Sequence, residues 1–460
     1  MSNTLVNFYR GTLGMGIVIS VTYENDRVIF DFGAPFEPSS NVYDGTVKQR
    51  INNKVYDALL LDKIPMIEGV FSKEDLKDID LQSYEESNLN TAILICHLHL
   101  DHMSEIDKVA KQIPVYIHSD GLKLLNLLDA IDNNTQTRKY SSFEYHKDIH
   151  VGKITITPYY SDHPCPGSAG FLIKTPDATI YYSGDIRFHG TNSEKAFEEL
   201  EELSKEKIDL LIVDSTTTSP SEFNKDEKYE ELYKTPSKIL VPGSISEQDI
   251  YTNIFNNLKD YKGVAVFNQY IRDIKMMKHI YDLSLSLNRQ LVMEASYAYV
   301  FYNFTNIKVP IYIPNNKKQD SILNKVSDFE VINTNKILSH PEMYLIQNSY
   351  SNILSLIDFD NLSGKYFHLF GEPLVKEDKN YKVMVNIINK LKWDFVSYAN
   401  LYSFSHTYPN HLAYVIDKIN AKSVVAVHSK HPENLNPVNS KQFFPEQNKF
   451  YKLIDGQLIE

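Results

Sequence analysis

Residues 97 to 102 read His-Leu-His-Leu-Asp-His, three imidazoles and a carboxylate within six positions of a 460-residue chain that holds only 15 histidines. Such crowding is costly unless something positive sits between the groups. The apolar run Thr91-Ala-Ile-Leu-Ile-Cys96 leads straight into the motif, as a buried strand does on reaching the rim of its sheet. On an extended chain His97, His99 and Asp101 share one side, because strand side chains alternate. His102 has the opposite parity and joins them only if the backbone turns. A helix is expected over 104–112, which supplies that turn. The segment therefore predicts metal-ligand chemistry at a strand-to-helix rim.

Length favours two domains, and 42% apolar with 23% charged residues is ordinary for a globular protein. Two cysteines, Cys96 and Cys165, exclude a disulfide framework. Each is expected to be a small buried apolar group. The N-terminus lacks the basic-then-apolar build of a signal peptide, and no apolar run has the length to span a bilayer. No membrane association and a cytoplasmic location are the expectation. A net charge of −12 argues against tight, sequence-independent binding of a polyanion. It does not bear on an enzyme that meets a phosphodiester only at a metal-charged cleft.

Along the chain, 16–23 and 27–33 read as a β-hairpin. Further strands are expected at 91–96, 113–117, 153–159, 169–174, 178–183 and 209–214, with helices at 120–131 and 193–205, giving a layered α/β domain. After Asp214 the hydroxyl-rich stretch Ser215-Thr-Thr-Thr-Ser-Pro-Ser reads as a crossing between domains and one strand of a hinge. From about 222 the expected order is helix, strand 238–241, helix 246–258, strand 263–267, helix 270–286, strand 290–294, an alternation that suits a parallel sheet. Near 393 the strand pattern returns, with Val424-Val-Ala-Val-His428 its clearest element.

Four more ligand-type residues fall where strands end: His163, Asp185 after Gly184, Asp214 and His428. Singly each has a dull explanation as a turn, a cap or a satisfied polar group. Together, in a chain that already has the first motif, they point to one site at the strand ends of an open α/β architecture.

The order His-x-His-x-Asp-His, then His, then Gly-Asp, then a late His resembles the metallo-β-lactamase fold. Asp214-Ser-Thr216, a large inserted segment, Ser405-His406-Thr407 and Val427-His428-Ser429 are similar to its β-CASP branch, which includes ribonuclease J and the 3′-end cleavage factor of messenger RNA. The resemblance implies an αββα sandwich (1–215 and 395–460) with an inserted β-CASP α/β domain (216–394). It implies one zinc at His97, His99 and His163, a second at Asp101, His102 and His428, and Asp185 bridging them, with manganese as the alternative metal. Two metals can lower the pKa of a shared water and neutralise charge developing in an in-line displacement. Bridging calls for a carboxylate, since an imidazole nitrogen offers one lone pair.

By the same resemblance His406 is the general acid that protonates the departing ribose oxygen, Asp214 orients it, and Asp101 joins the catalytic set. His428 is the residue found in RNA-acting members, so single-stranded RNA is the expected partner, entering as the two domains open. Family members commonly read Ser-Gly-His before the acid; here Phe404-Ser405-His406 stands instead, leaving Ser403 and Ser405, with Arg272, as expected substrate contacts. The chain ends soon after His428 whereas ribonuclease J has an added C-terminal domain, so long processive exonuclease action is not expected by analogy. Self-association into a homo-oligomer is left open. The rival readings are a hydrolase of small esters, lactones or phosphodiesters, and a non-catalytic scaffold.

Overall fold

The computed structural model describes residues 3–35, 47–132, 138–218, 231–241, 244–314, 321–398 and 405–460. Among these, two large sheets stack face to face. The first has the order Gln457–Ile459, Phe450–Ile454, Thr4–Arg10, Val18–Tyr23, Asp26–Phe30, Asn90–Leu94, Val115–His118, Ser141–Phe143; the second runs Lys441–Gln442, Ser423–Val427, Leu210–Asp214, Thr179–Tyr182, Ala169–Lys174, Ile154–Tyr160, Ile149–Val151. Strand alternation sets the layers. Val28, Phe30 and Leu94 meet Phe171, Ile212 and Val425 between the sheets. Ile29, Ile93 and Ile95 face outwards beneath helices Lys54–Leu60 and Ser119–Asp132. On the far side Leu211, Val213 and Val424 lie beneath Ser193–Leu203 and Pro409–Ile419. The result is an αββα sandwich, and strands such as Leu210–Asp214 are buried along their whole length because both faces are covered.

A third sheet is drawn wholly from 264–397. Its order is Gln290–Val292, Tyr344–Gln347, Val264–Gln269, Gly364–Leu369, Asp394–Ser397, all parallel. The last strand straddles the boundary expected at 394. One face packs on Lys379–Lys390 through Val266, Tyr366 and Met384. The other, with Ala265, Phe267 and Leu369, merges with the outer layer of the first sheet at Leu98 and Cys165.

Three local expectations change. The 104–112 helix reduces to a turn, Leu100–Met103, and a 3-10 segment, Ile106–Lys108. Helical hydrogen bonding stops because neighbouring segments take the backbone: Glu105 N donates to Phe32 O at 3.1 Å and Ala110 N to Val70 O at 2.9 Å. Residues 238–241 form no strand; the Asn410 amide donates to the Ile239 carbonyl at 2.8 Å in place of a ladder. The stretch 215–218 is buried rather than an exposed crossing, and the Tyr233 hydroxyl donates to the Thr217 carbonyl. The remainder of that stretch and most of the helix expected from 222 lie outside the described residues. Thr4–Arg10 is an unanticipated strand, and it joins both ends of the chain into one sheet by pairing with Val18–Tyr23 and Phe450–Ile454.

The third sheet and its helices are held to the sandwich by a merged apolar layer and by buried charge. The Arg187 guanidinium, 0% exposed, lies 3.5 Å from Asp162 Oδ2 and 3.2 Å from Glu247 Oε2 on helix Glu247–Leu258. Lys275 Nζ, on helix Ile274–Ser286, reaches Asp162 Oδ1 at 3.0 Å and donates to the Tyr160 hydroxyl at 2.9 Å. Three carboxylates against two cations leave one negative charge over. It is met at Asp273, whose carboxyl is pushed up to about 7 by burial and by the Glu247 carboxylate. Opening this interface would separate these paired charges and expose the merged apolar core.

Removing one member of a buried ion set leaves its partners uncompensated, at a cost of about 3–5 kcal/mol. Arg187→Met is therefore expected to lower unfolding stability by about that amount in urea titration. A loss below about 1 kcal/mol, the range of surface pairs, would show that the set does not anchor the fold.

Candidate metal centre

Every ligand-type residue anticipated at a strand end lies on one rim. Asn90–Leu94 leads to His97, His99, Asp101 and His102; Ile154–Tyr160 to His163; Thr179–Tyr182 to Asp185; Leu210–Asp214 ends on Asp214; and Ser423–Val427 leads to His428. The last three strands are mutually parallel, so their ends converge. Gly184 makes the approach of Asp185 feasible: its φ is +54°, and a Cβ there would stand 2.7 Å from the Ala169 carbonyl oxygen.

The donor atoms fall into two groups that share Asp185. His97, His99, His163 and Asp185 present ligand atoms within 4.8 Å of one another, as do Asp101, His102 and His428. Asp185 Oδ2 faces the first group, 3.5 Å from His97 Nε2 and 3.7 Å from His163 Nε2. Its Oδ1 faces the second, 3.3 Å from His102 Nε2 and 3.9 Å from His428 Nε2. Asp101 Oδ2 lies 2.8 Å from His428 Nε2. His163 Nε2 and His99 Nδ1 stand 3.1 Å apart, close to the edge of about 3.3 Å that bonds of 2.0–2.1 Å give a tetrahedron. His97 Nε2 and His102 Nε2 are buried and make no hydrogen bond. Five imidazoles and two carboxylates aimed at two points, with orphaned nitrogens among them, suit a pair of divalent ions.

Electrostatics say the same. Burial pushes His97 and His163 well down and takes His99 to about 4, so these rings are neutral, the form that binds metal. Burial works against a proton on His428, but Asp185 and Asp101 outweigh it and hold the ring at about 9. His102 is raised for the same reason. The second group is thus acidic enough to collect protons where a cation would stand.

The other ring nitrogens fix tautomers. His102 Nδ1 donates to Asp31 Oδ2 at 2.9 Å, an acid that also accepts from the Tyr182 hydroxyl at 2.6 Å and Cys96 N at 2.8 Å. His428 Nδ1 donates to Thr216 Oγ1 at 2.7 Å, which donates on to Asp214 Oδ1 at 2.7 Å. His163 Nδ1 donates to the Ser405 carbonyl at 2.9 Å. Asp31 and Thr216 escaped sequence reasoning. Asp31 ends a strand, the same signal that singled out Asp214, but its neighbours read as an ordinary hairpin. Both cysteines are free and buried, and Cys96 adds a role beyond apolar filling, its Sγ lying 3.0 Å from His97 Nδ1.

His406 stands beside both groups, its ring centroid 5.2 Å from that of His428 and 5.8 Å from that of His163. Its Nδ1 donates to Asp214 Oδ2 at 2.8 Å. Burial opposes a proton on this ring as well, yet Asp214 and Asp185 raise its pKa. Of the expected substrate contacts, Ser405 turns its carbonyl to His163, Arg272 donates through Nη1 to the Leu98 carbonyl, and Ser403, with Phe404, lies outside the described residues. Tyr270, unanticipated, sets its ring 5.6 Å from that of His99.

A family model for the beta-lactamase superfamily domain matches residues 82–239, the span that holds His97, His99, Asp101, His102, His163, Asp185 and Asp214. Residues 82–239 are thus similar to the β-lactamase superfamily domain. Relatives share parts of it. Ribonuclease J of Mycoplasma genitalium is 22% identical over 259 residues, 53% of this chain and 42% of that protein. Ribonuclease J 1 of Streptococcus pyogenes is 26% identical over 190 residues, 39% and 34% of the two chains. The 5′ exonuclease Apollo of Gallus gallus is 27% identical over 143 residues, 31% and 29%. The chain thus spans less than half the length of these relatives. A crystal structure of a protein of unknown function from Enterococcus faecalis V583 superposes with a TM-score of 0.78 at 23% identity, covering 97% of this chain and 99% of that one. The fold is therefore shared over almost the whole length. The resemblance to the superfamily and to ribonuclease J stands on these matches, and the β-lactamase superfamily domain implies binding of divalent metal. No helix among the described residues is long and apolar enough to cross a membrane.

Two substitutions probe the centre. Asp185→Asn, which removes the shared carboxylate, is expected to lower metal content by at least one ion per chain in elemental analysis; full occupancy would count against a bridge. Asp31→Ala frees the His102 tautomer and is expected to weaken metal binding by about 10–100-fold in chelator competition. Unchanged affinity would leave Asp31 a fold residue only.

Proposed function

We propose that this chain hydrolyses phosphodiester bonds of single-stranded RNA, in the cytoplasm, with two zinc ions or manganese in their place. The observation that carries the reading is Asp185, whose two oxygens face two separate sets of imidazoles, with the His406–Asp214 pair alongside. The ribonuclease J relatives supply the substrate class. We take 1–215 and 395–460 as the metal-bearing domain and 216–394 as the β-CASP domain that walls the cleft.

His97, His99 and His163 would hold one ion, and Asp101, His102 and His428 the other, with Asp185 between. Bound there, a metal pair lowers the pKa of water and offsets charge on a phosphoryl group in displacement. The rest falls to the chain. Asp214 holds His406 by Nδ1, which leaves Nε2 to carry the proton to the departing ribose oxygen. Thr216, bonded to both Asp214 and His428, keeps the acid in register with the second metal group.

Hydrolysis of a small ester or lactone is the second reading, favoured by the net charge of −12 and by Phe404-Ser405 standing where the family commonly has Ser-Gly. Incubation of the metal-loaded protein with 5′-labelled single-stranded RNA separates the two. RNA left intact beside turnover of small esters would move the assignment. For RNA cleavage, His406→Ala is expected to lower kcat by about 10²–10⁴-fold at unchanged metal content. A proton donor with a raised pKa is lost as pH rises through that value. Asp214→Asn, removing a carboxylate that raises it, should shift the alkaline limb of the rate profile to lower pH.

A further inference from the structure

A cavity of about 440 Å³ opens between helix Ser119–Asp132 of the sandwich and helix Ala295–Thr305 of the inserted segment, lined by Ser119, Lys123, Asn126, Ser142, Tyr299 and Asn303 over a leucine floor. The volume falls in the range of small-ligand sites. In a chain of net charge −12, no carboxylate lines it. Two lining residues take part in cation–ring contacts with neighbours outside the lining: Lys123 Nζ is 4.7 Å from the ring centroid of Phe304, across the two units, and the Tyr299 ring centroid is 5.7 Å from Lys325 Nζ. Neither lysine has a carboxylate partner among the described residues, and both are exposed. Tyr299 is half-buried, and Asn303, with Nδ2 spent on the Tyr299 carbonyl, keeps Oδ1 as an acceptor.

The cavity shares the rim of the metal centre. Val115–His118 and Ser141–Phe143 continue the first sheet in parallel beyond Asn90–Leu94, the strand that leads to His97. Neighbouring strands lie about 4.8 Å apart, which places Ser119 and Ser142 one and two strands over from the metal-bearing loop. The helix that begins at Ser119 abuts that loop, since Gly121 leaves room there for Leu98 and the Pro166 carbonyl.

We propose that this cavity is a subsite for one nucleotide of a single-stranded RNA whose scissile phosphate lies at the metal centre. Lys123 meets the phosphate, Tyr299 stacks the base, and the asparagines face its polar edge.

The inference rests on RNA as substrate, and direct binding separates it from that reading. Fluorescence anisotropy with a labelled single-stranded oligoribonucleotide, on metal-loaded His406→Ala protein so that the strand stays whole, reads the affinity. Lys123→Glu and Tyr299→Leu are each expected to weaken binding about tenfold, and Lys123→Gln, which removes charge alone, to flatten the dependence on log salt by about 0.7. Lys441→Glu, on an edge strand of the other sheet, makes the same charge change and should alter affinity less than twofold. The subsite is overturned if Lys123→Glu and Tyr299→Leu bind as the parent does, if Lys441→Glu weakens binding as much, or if the parent binds no oligoribonucleotide. Tight binding that responds to Lys123 and Tyr299, with no cleavage by the wild-type protein, would retain the subsite and sink the nuclease reading.

Discussion

A carboxylate sealed among imidazoles governs this structure. Asp185 is 4% exposed, and burial alone would raise its pKa, yet His102 and His428, both protonated more readily than a free imidazole, hold it well below the usual carboxylate range. A charge in that position is tolerable only while positive groups surround it. That requirement constrains how the strands end, since Asn90–Leu94 delivers four of the residues and the other strands one each to the same rim. Displace Asp185 and the two donor groups lose the carboxylate they share. Gly184 therefore matters as much to the centre as any ligand, because a Cβ there would press on the Ala169 carbonyl.

Around that point the molecule is organised by what can be buried. The two sheets of the sandwich exclude water between them, and the inserted sheet extends the outer apolar layer rather than starting a separate core. Asp162, which precedes His163, is gripped by Arg187 from the sandwich and Lys275 from the insert. Placement of a metal-site loop and placement of the insert are in this way mechanically joined. The same docking brings helices 119–132 and 295–305 together and creates the basic, aromatic cavity beside the rim, a feature that net charge conceals.

The candidate ligand residues stood out in the sequence because two signals coincided, a ligand-type side chain and the end of an apolar run. Asp31 carried both but lacked a recognisable motif around it. Thr216 carried neither, since a hydroxyl after Asp214 reads as loop. The helix expected over 104–112 failed for a reason that no periodicity contains: Phe32 and Val70, distant in sequence, take the backbone groups a helix would use. Arg272, expected as a substrate contact, instead bonds the Leu98 carbonyl, a partner that depends on how the insert docks.

Residue order alone determined which side chains could bind metal, that they stand at strand ends, and that an α/β segment interrupts the sandwich, because alternation and ligand chemistry are local properties of a chain. How the six residues at 97–102 divide was carried in the sequence only by the family resemblance, and its physical basis lies in the tertiary structure. His97 and His99 face one oxygen of Asp185 while Asp101 and His102 group with His428, and that division depends on which strands lie side by side. Only the tertiary structure decided the tautomers, through Asp31, Thr216 and the Ser405 carbonyl, and the cavity at Lys123 and Tyr299. Each of these joins residues from separate segments of the chain, and proximity of that kind is created only when the sheets pack.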